Sequence, residues 1–433
     1  MKAARTTIGT ALVAAFVMLA CATASHAQPP RIDAPLIAKG EYIAKAADCA
    51  GCHTATGGGA PYAGGLGLAS PFGTIVSSNI TPDRRYGIGN YSYSDFVKAV
   101  RLGTAPGKKH LYPAMPYPSF TKLSDDDMRA LYAYFMLGVK PVDKPAPPTK
   151  VPFPFNQRWI LIFWKLAFAP DARYQPKPER DAQWNRGAYL VQSAGHCGAC
   201  HTPRGTGFQE RGYDESSKLY LTGGVNDHWF APALTGDMHA GLGRVPEGEL
   251  AAFLKTGHGS GFVAFGSMVA QIEDSSQYLT DEDARAIAHY LKSLPPGGKT
   301  SGRFDPTRQA TLSMANGNRV PARESVGAAV YASFCVRCHG AQGEGVTHVF
   351  PKLAGNPAVI TEDTTSLIRL LVEGGNSPQT LSGPPRQAMP PFAGQLTDSQ
   401  IGAVLTWIRT SWGNDARPVT ANDVRTLRDG INK

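Results

Sequence analysis

Three five-residue stretches decide the fold: Cys49-Ala50-Gly51-Cys52-His53, Cys197-Gly198-Ala199-Cys200-His201 and Cys335-Val336-Arg337-Cys338-His339. They share the pattern C-x-x-C-H and lie well over a hundred residues apart. The chain has 7 cysteines, and Cys21 near the amino terminus is the one that falls outside these stretches. This distribution indicates that each stretch is a complete chemical site by itself.

The spacing of the motif suits the covalent attachment of haem c. On a helix, residues i and i+3 lie on one face, so two thiols can each add to one of the two vinyl groups of a porphyrin edge. The histidine that follows then supplies an axial nitrogen to the iron. Zinc would need paired C-x-x-C knuckles close in sequence, and a thioredoxin-like pair would need a βαβ context that the sequence lacks. The motifs predict three covalent haems c, held by Cys49, Cys52, Cys197, Cys200, Cys335 and Cys338 and ligated by His53, His201 and His339.

Each motif belongs to a longer repeat. A short helical run with a glycine and a tyrosine precedes it: Gly40 and Tyr42, Gly187 and Tyr189, Gly327 and Tyr331. A second helix follows later and opens with an N-cap and an acidic or amide residue three positions on; the caps are Ser124, Thr280 and Thr397. Each second helix carries an aromatic residue: Tyr134, Tyr290 and Trp407. The repeat predicts an all-α fold of three tandem class I cytochrome c-like domains with loop-rich middles, whose first and last helices cross through a glycine–aromatic contact.

A sixth iron ligand is expected in the loop just before each capped helix. An electron carrier requires six-coordinate iron, and methionine sulfur stabilises the ferrous state and raises the reduction potential. The candidates are Met115, Met268 and Met389. The first and third of these precede prolines, which keep the loop from becoming helical.

Other side chains remain open as sixth ligands of the first two haems. His110 is the alternative for the first, and the alternatives for the second are His228, His239, His258 and Met238. In the third repeat, Met389 is the one methionine after the haem motif, and His348 lies too close to His339 in sequence to cross the ring. Met128 and Met136 fall inside a helix, where core packing is the expected role.

The repeats divide the 433 residues into an ordered series of segments. A basic start, a short apolar run and small residues at Ser25 and Ala27 are typical of a secretory signal peptide with cleavage before Gln28. The predicted organisation is a signal peptide at 1–27, domain 1 at 28–140, a Pro/aromatic linker at 141–175, domain 2 at 176–296, a flexible polar linker at 297–321, domain 3 at 322–415 and a polar tail at 416–433. The net charge of +9 is scattered and largely offset by haem propionates, which argues against nucleic acid as a partner.

The linker between the first two domains contains an unusually apolar run, Trp159 to Phe168. It is too short to span a bilayer. One interpretation is a strap buried between domains. The other is an exposed surface for a partner subunit or for shallow membrane insertion, given its tryptophans and the flanking Arg158 and Lys165.

Four further stretches are similar to one known family: Asn79-Ile80-Thr81-Pro82-Asp83 with Gly87-Ile88-Gly89, His110-Leu111-Tyr112-Pro113-Ala114-Met115-Pro116-Tyr117, Phe153-Pro154-Phe155-Asn156, and Gln277-Tyr278-Leu279-Thr280. Over essentially the whole mature chain, the sequence resembles the tri-haem cytochrome c subunit of membrane-bound bacterial dehydrogenases for alcohols, gluconate and related substrates. The resemblance implies a separate flavin, quinoprotein or molybdenum subunit that oxidises substrate in the periplasm. It also implies relay of electrons to ubiquinone at the periplasmic face of the inner membrane.

Two functions outside this family remain as alternatives. A multihaem reductase or peroxidase would need an open coordination site, whereas a methionine is available to close each of the three. A free shuttle to a terminal oxidase would leave the apolar run without a purpose.

Overall fold

The computed structural model describes residues 34–226, 228–297, 302–307, 312–315, 318–321 and 325–431. The predicted signal peptide, residues 1–27, lies outside these residues. Within them, the chain is mostly helical, and its strands are short two-stranded pairs. The predicted all-α class is confirmed.

Domain 1 begins with a helix that leads into the first haem motif and ends with the capped helix. Its helices are α1 Ala34–Ala46, α2 Cys49–His53, α3 Tyr93–Leu102, α4 Tyr117–Phe120 and α5 Asp125–Ala133. Its strand pairs are β1 Gly67–Leu68 with β2 Ile75–Val76, and β3 Thr104–Ala105 with β4 Lys109–His110. In the linker that follows, α6 spans Leu161–Phe168.

Domain 2 repeats this order. Its helices are α7 Ala182–Gln192, α8 Gly198–His201, α9 Glu247–Thr256, α10 Ser267–Asp274 and α11 Asp281–Ser293. One antiparallel pair joins β5 Gly224–Asn226 to β6 Trp229–Ala231. The second linker contributes β7 Arg303–Phe304 and the hairpin β8 Leu312–Ala315 with β9 Asn318–Pro321.

Domain 3 has the same first and last helices with a different middle. Its helices are α12 Val326–Phe334, α13 Val336–His339, α14 Pro357–Ile360, α15 Thr365–Glu373, α16 Asp398–Thr410 and α17 Ala421–Ile431. Its strands are β10 Gly375–Asn376, which pairs with β11 Ala388–Met389, and β12 Asn414–Asp415, which pairs with β7.

The predicted helix crossings are present in all three domains. At each crossing the glycine lies against the aromatic residue, and a Cβ atom added to the glycine would come within 3 Å of the aromatic Cβ. The distances are 2.7 Å for Gly40 and Tyr134, 2.8 Å for Gly187 and Tyr290, and 2.8 Å for Gly327 and Trp407. The three N-caps also form as predicted, because each cap side chain accepts a hydrogen bond from the backbone N–H three residues on. The terminal helices therefore cross at a glycine that has no space for a side chain.

The buried side chains form two separate cores. One core is shared by domains 1 and 2 and includes residues from α1, α5, α7 and α11. The other belongs to domain 3 and includes residues from α12, α15 and α16. Domains 1 and 2 are thus packed as one body, and domain 3 has a core of its own.

The structure differs from the sequence-based expectation near the carboxyl terminus. Residues 416–433 were expected to form a polar tail, but Ala421–Ile431 form α17, which packs on α16. Val424 on this helix is fully buried, and Arg428 pairs with Asp398 at 2.6 Å. A single buried stripe on an otherwise charged helix is enough to dock it.

Candidate haem-binding sites

The three C-x-x-C-H motifs have the same local structure. Each forms about one turn of helix, in α2, α8 and α13, directly after the first helix of its domain. No disulfide joins the six cysteines of the motifs. One helical turn places both thiols of a motif on the same side, which is the arrangement that two thioether bonds to one porphyrin require.

The motif histidines are held by equivalent hydrogen bonds. The Nδ1 atom of His53 lies 2.7 Å from the carbonyl oxygen of Ser78, that of His201 lies 2.6 Å from the carbonyl of Pro232, and that of His339 lies 2.9 Å from the carbonyl of Pro351. A carbonyl oxygen can only accept, so Nδ1–H is the donor and Nε2 keeps its lone pair. Such a bond fixes both the tautomer and the ring direction of a metal-binding histidine.

Burial lowers the pKa of all three imidazoles: His53, His201 and His339. The histidines are therefore neutral at physiological pH, and a neutral imidazole is the form that binds a metal. Sequence analysis did not identify the three carbonyl partners, because they lie 12 to 31 residues away in loops.

The third site is an apolar cavity directly beside the third motif. Cys335, His339 and Met389 all line it, so the structure brings together three of the four side chains predicted for this site, the fourth being Cys338. Most of the remaining wall is hydrocarbon, including Leu353, Val359, Leu371, Phe392, Val404 and Ile408. These side chains fit haem c: the imidazole and the thioether would be the two axial donors to iron, the thiol would attach the ring through a vinyl group, and the apolar wall suits the hydrophobic ring.

Domain 2 contributes to the wall of this third cavity. Val263 and Phe265 lie on it, although they belong to the loop before α10. Met268, the predicted ligand of the second haem, follows three residues later at the second position of α10. One short segment therefore contacts the third site and carries the candidate ligand of the second. Sequence analysis missed this arrangement, because it depends on how the domains dock.

The two other methionines occupy different local structures. Met115 lies in a tight turn, where its carbonyl accepts from the Tyr117 N–H at 2.8 Å, and it packs against the shared core. Met268 was expected in a loop but lies in a helix, because no proline follows it. The competing Met238 is 54 % exposed, which is unsuitable for a buried ligand.

The histidines considered as alternatives have other surroundings. His239 accepts a hydrogen bond from the backbone of Phe304 at 3.3 Å. His258 is buried, and Gly257 and Gly261 on either side of it lie against Pro378 and Lys352 of domain 3. The carbonyl of His110 accepts from Arg158 at 2.8 Å.

The chain matches one known protein family in three separate segments. A model of the cytochrome c family matches residues 37–137, 185–295 and 325–412. Each matched segment contains one complete motif, one histidine–carbonyl hydrogen bond and one helix crossing. The chain therefore belongs to the cytochrome c family, with three such domains and covalently bound haem c, three groups per chain.

The relatives that match over most of the chain narrow this class. The cytochrome c subunit of the quinone-dependent alcohol dehydrogenase of Gluconacetobacter polyoxogenes is 46 % identical over 422 residues, which cover 96 % of this chain and 88 % of that protein. The gluconate 2-dehydrogenase cytochrome c subunit of Pantoea cypripedii is 44 % identical and covers 91 % of this chain and 89 % of its own length. The chain is a member of this family of dehydrogenase cytochrome c subunits and is an electron-transfer protein.

A third relative is a much longer protein. One of the subunits of nicotinate dehydrogenase from Pseudomonas putida is 38 % identical over 418 residues. The match covers 93 % of this chain but 33 % of that longer protein.

Proposed function

We propose that this chain receives electrons from an alcohol or gluconate dehydrogenase subunit in the periplasm and delivers them to ubiquinone at the inner membrane. The observation that carries the proposal is the similarity to alcohol dehydrogenase cytochrome subunits over 96 % of the chain. Each haem, when bound, supplies an iron that takes up and releases one electron. The protein's own part is to hold that iron in one geometry and to bring its partners close.

The residues assigned to this task follow the sequence prediction. We assign His53, His201 and His339 as one axial ligand of each haem, and Met115, Met268 and Met389 as the other. Six-coordinate iron needs little rearrangement on oxidation, and closed coordination disfavours the alternative of a stand-alone reductase. The Nδ1 hydrogen bonds restrict each imidazole to one orientation, which keeps the site the same in both oxidation states.

The proposed function predicts which compounds reduce the protein. A tagged chain expressed in its own host and purified from solubilised membranes is expected to bring a catalytic subunit with it. Ethanol or D-gluconate should then reduce the haems, measured by the α-band of ferrous haem c, and a short-chain ubiquinone should reoxidise them. Purification of the chain alone, with haems that neither compound reduces, would contradict the proposal.

A second candidate partner has one observation in its favour. The similarity to the nicotinate dehydrogenase protein of Pseudomonas putida supports a partner that oxidises nicotinate, and we propose the molybdenum hydroxylase type as its class. Reduction by nicotinate or an aldehyde, without reduction by ethanol or gluconate, would favour this candidate.

The apolar run in the first linker has two different sides. Arg158 donates to the His110 carbonyl, Trp164 Nε1 donates to the Gly207 carbonyl at 2.8 Å, and Lys165 Nζ donates to Thr104 Oγ1 at 2.7 Å. These bonds attach the run to both domain 1 and domain 2. On the other side, Trp159, Phe163 and Leu166 are 59 %, 64 % and 81 % exposed. We name these last three residues the α6 apolar surface.

The membrane is the occupant that we propose for the α6 apolar surface. Ubiquinone remains in the bilayer, so the haem that reduces it must be close to the membrane. Arg158 lies over the Tyr112 ring at 4.3 Å, and Tyr112 belongs to the loop that carries Met115. The α6 apolar surface therefore adjoins the loop that carries Met115, the ligand that we assign to the first haem. A tryptophan, a phenylalanine and a leucine beside basic residues are typical of shallow interfacial insertion.

Serine at Trp159, Phe163 and Leu166 is expected to weaken membrane binding. If each side chain contributes about 1 kcal/mol by partial burial in lipid, the triple variant should bind vesicles roughly a hundredfold more weakly. The measurement is cosedimentation with phosphatidylethanolamine/phosphatidylglycerol vesicles. Trp164 is left in place, because its hydrogen bond to Gly207 makes it part of the interdomain packing.

A matched control removes exposed apolar side chains elsewhere. Leu137, Val225 and Leu381 are 58 %, 42 % and 85 % exposed and lie outside α6. Serine at these three positions should leave vesicle binding unchanged. Equal loss of vesicle binding in both variants, or no loss in the α6 variant, would show that the surface does not bind lipid. If the α6 variant kept vesicle binding but lost the catalytic subunit, the surface would instead bind a protein partner.

A further inference from the structure

The capped helices of domains 1 and 2 share a feature that domain 3 lacks. The third residue of α5 is Asp127 and that of α11 is Asp283, and both side chains are nearly buried. Neither carboxylate completes a capping box. Asp127 pairs with Lys39 of its own domain at 2.7 Å, and Asp283 pairs with Arg186 of its own domain at 2.7 Å.

Each aspartate also accepts a hydrogen bond from the opposite domain. The Tyr189 hydroxyl of domain 2 donates to Asp127, and the Tyr42 hydroxyl of domain 1 donates to Asp283. Each phenol oxygen in turn accepts from the backbone N–H of the N-cap beside it, Ser124 at 3.1 Å and Thr280 at 3.3 Å. The contacts that domain 1 makes to domain 2 are therefore equivalent to those that domain 2 makes to domain 1.

The residues that form these interdomain contacts occupy equivalent positions in the first two repeats. Tyr42 follows the crossing glycine Gly40 by two residues, and Tyr189 follows Gly187 by two residues. Lys39 and Arg186 each directly precede those glycines. Domains 1 and 2 are therefore related by an approximate two-fold axis, with the same surface used on both sides.

Both tyrosines are kept in the donor form. Burial and the hydrogen bond to Asp283 raise the pKa of Tyr42 to about 12. Burial and the charge of Asp127 raise the pKa of Tyr189 to about 12. The phenols therefore stay protonated throughout the physiological range, and each bond to a carboxylate is charge-assisted.

Domain 3 cannot make the same contact. The position two residues after its crossing glycine is Ala329, which has no hydroxyl. The third residue of α16 is Gln400, which completes a capping box with Thr397 inside its own domain. This difference agrees with the separate core of domain 3.

The first and second haem motifs lie close together at the interface between domains 1 and 2. The His196 ring nitrogen Nε2 is 3.4 Å from the Ala47 carbonyl, and these residues stand one and two positions before Cys197 and Cys49. The haem-binding helix α2 also packs against α10 of domain 2. The two attachment sites are thus direct neighbours across the domain interface.

We propose that Tyr42 and Tyr189 are positioning residues, whose exchanged hydrogen bonds to Asp283 and Asp127 hold the first and second haem sites together as one two-haem unit. This unit is distinct from the third haem site, which has a core of its own, although Val263 and Phe265 of domain 2 contribute to the wall of its cavity. The inference does not depend on the substrate of the partner enzyme or on the membrane contact.

The test uses phenylalanine variants of the full chain with its haems attached. Two neighbouring haems give a bisignate exciton signal in Soret circular dichroism, and its amplitude depends on their spacing and relative orientation. Tyr42→Phe and Tyr189→Phe should each reduce this amplitude to a similar degree, and the double variant should lose more than half of it. Haem content, measured as pyridine haemochrome, should stay at three per chain.

The matched control is Tyr132→Phe. The Tyr132 hydroxyl donates to the Tyr91 carbonyl inside domain 1 at 3.0 Å, so the control removes a half-buried phenol of the same kind without touching the interface. It should leave the exciton signal unchanged.

Scanning calorimetry provides the second measurement. Domains 1 and 2 should unfold in one transition in the wild type and in the control, and in two transitions in the double variant. An unchanged exciton signal and an undivided transition in the single and double variants would overturn the proposal, and so would an equal loss of the signal in Tyr132→Phe.

Discussion

Alanine at Gly187 is expected to destabilise domain 2 by about 3 kcal/mol, at the upper end of the range for overpacked cores. The added methyl group would lie 2.8 Å from the Tyr290 Cβ and would overlap the backbone carbonyl of Ala286. A backbone carbonyl on a packed helix cannot move aside as a flexible side chain can, so α7 and α11 would have to separate. Urea unfolding followed by far-ultraviolet circular dichroism measures the loss.

The same substitution at Gly248 provides a control with the opposite sign. Gly248 is an exposed residue of α9, and a Cβ there would meet nothing within 4 Å. Alanine should therefore stabilise this helix by about 0.5–1 kcal/mol, because glycine loses more backbone entropy on folding. If both substitutions changed the free energy of unfolding in the same direction, the prediction would be wrong, and the crossing of α7 and α11 would not depend on the missing side chain at Gly187.

The parts of the fold that the sequence predicted are those that local chemistry determines. A C-x-x-C-H motif needs one helical turn, a serine or threonine cap needs its own third residue, and a crossing glycine has no substitute. These features are present in each domain, at Gly40, Gly187 and Gly327 among others. The segment matches to the cytochrome c family fall on the same repeats.

The features that sequence analysis missed depend on how distant segments dock. No local pattern indicates that Val263 and Phe265 of domain 2 form part of the third cavity. The two interpretations of the Trp159 to Phe168 run were each incomplete, because one side is anchored to both domains and the other is exposed. The helix α17 docks through the buried Val424, with Leu427 and Ile431 packed beside it and the Arg428–Asp398 ion pair, and composition alone does not distinguish so sparse an apolar pattern from a polar tail.

A signal for the two-haem unit was nevertheless present in the sequence. Tyrosine follows the crossing glycine by two residues in the first two repeats, whereas Tyr331 follows Gly327 by four. Aspartate stands three residues after the cap in the same two repeats, and Gln400 stands there in the third. Comparing the repeats position by position would have separated domain 3 from the other two.

The residue that we propose as the sixth ligand of the third haem provides the other large expected effect. Met389 is fixed by the antiparallel pairing of β11 with β10, where it stands opposite Gly375, and its side chain lines the same cavity as His339. Histidine at this position should keep iron six-coordinate while replacing sulfur by nitrogen. Because methionine ligation raises the potential, Met389→His should lower the midpoint potential of one haem by on the order of 0.1 V, a fraction of the ~0.8 V range that axial ligands span.

A spectroelectrochemical titration of the purified protein would resolve this shift as one of three one-electron components moving while two stay in place. The attachment that we assign to Cys335 and Cys338 is independent of residue 389, so the variant should still carry three haems. Met238→His is the matched control, since that methionine is 54 % exposed and should change none of the potentials. If the titration of Met389→His superimposed on that of the wild type, Met389 would not be a ligand of the third haem iron. The methionine that lines the apolar cavity would then have a packing role only.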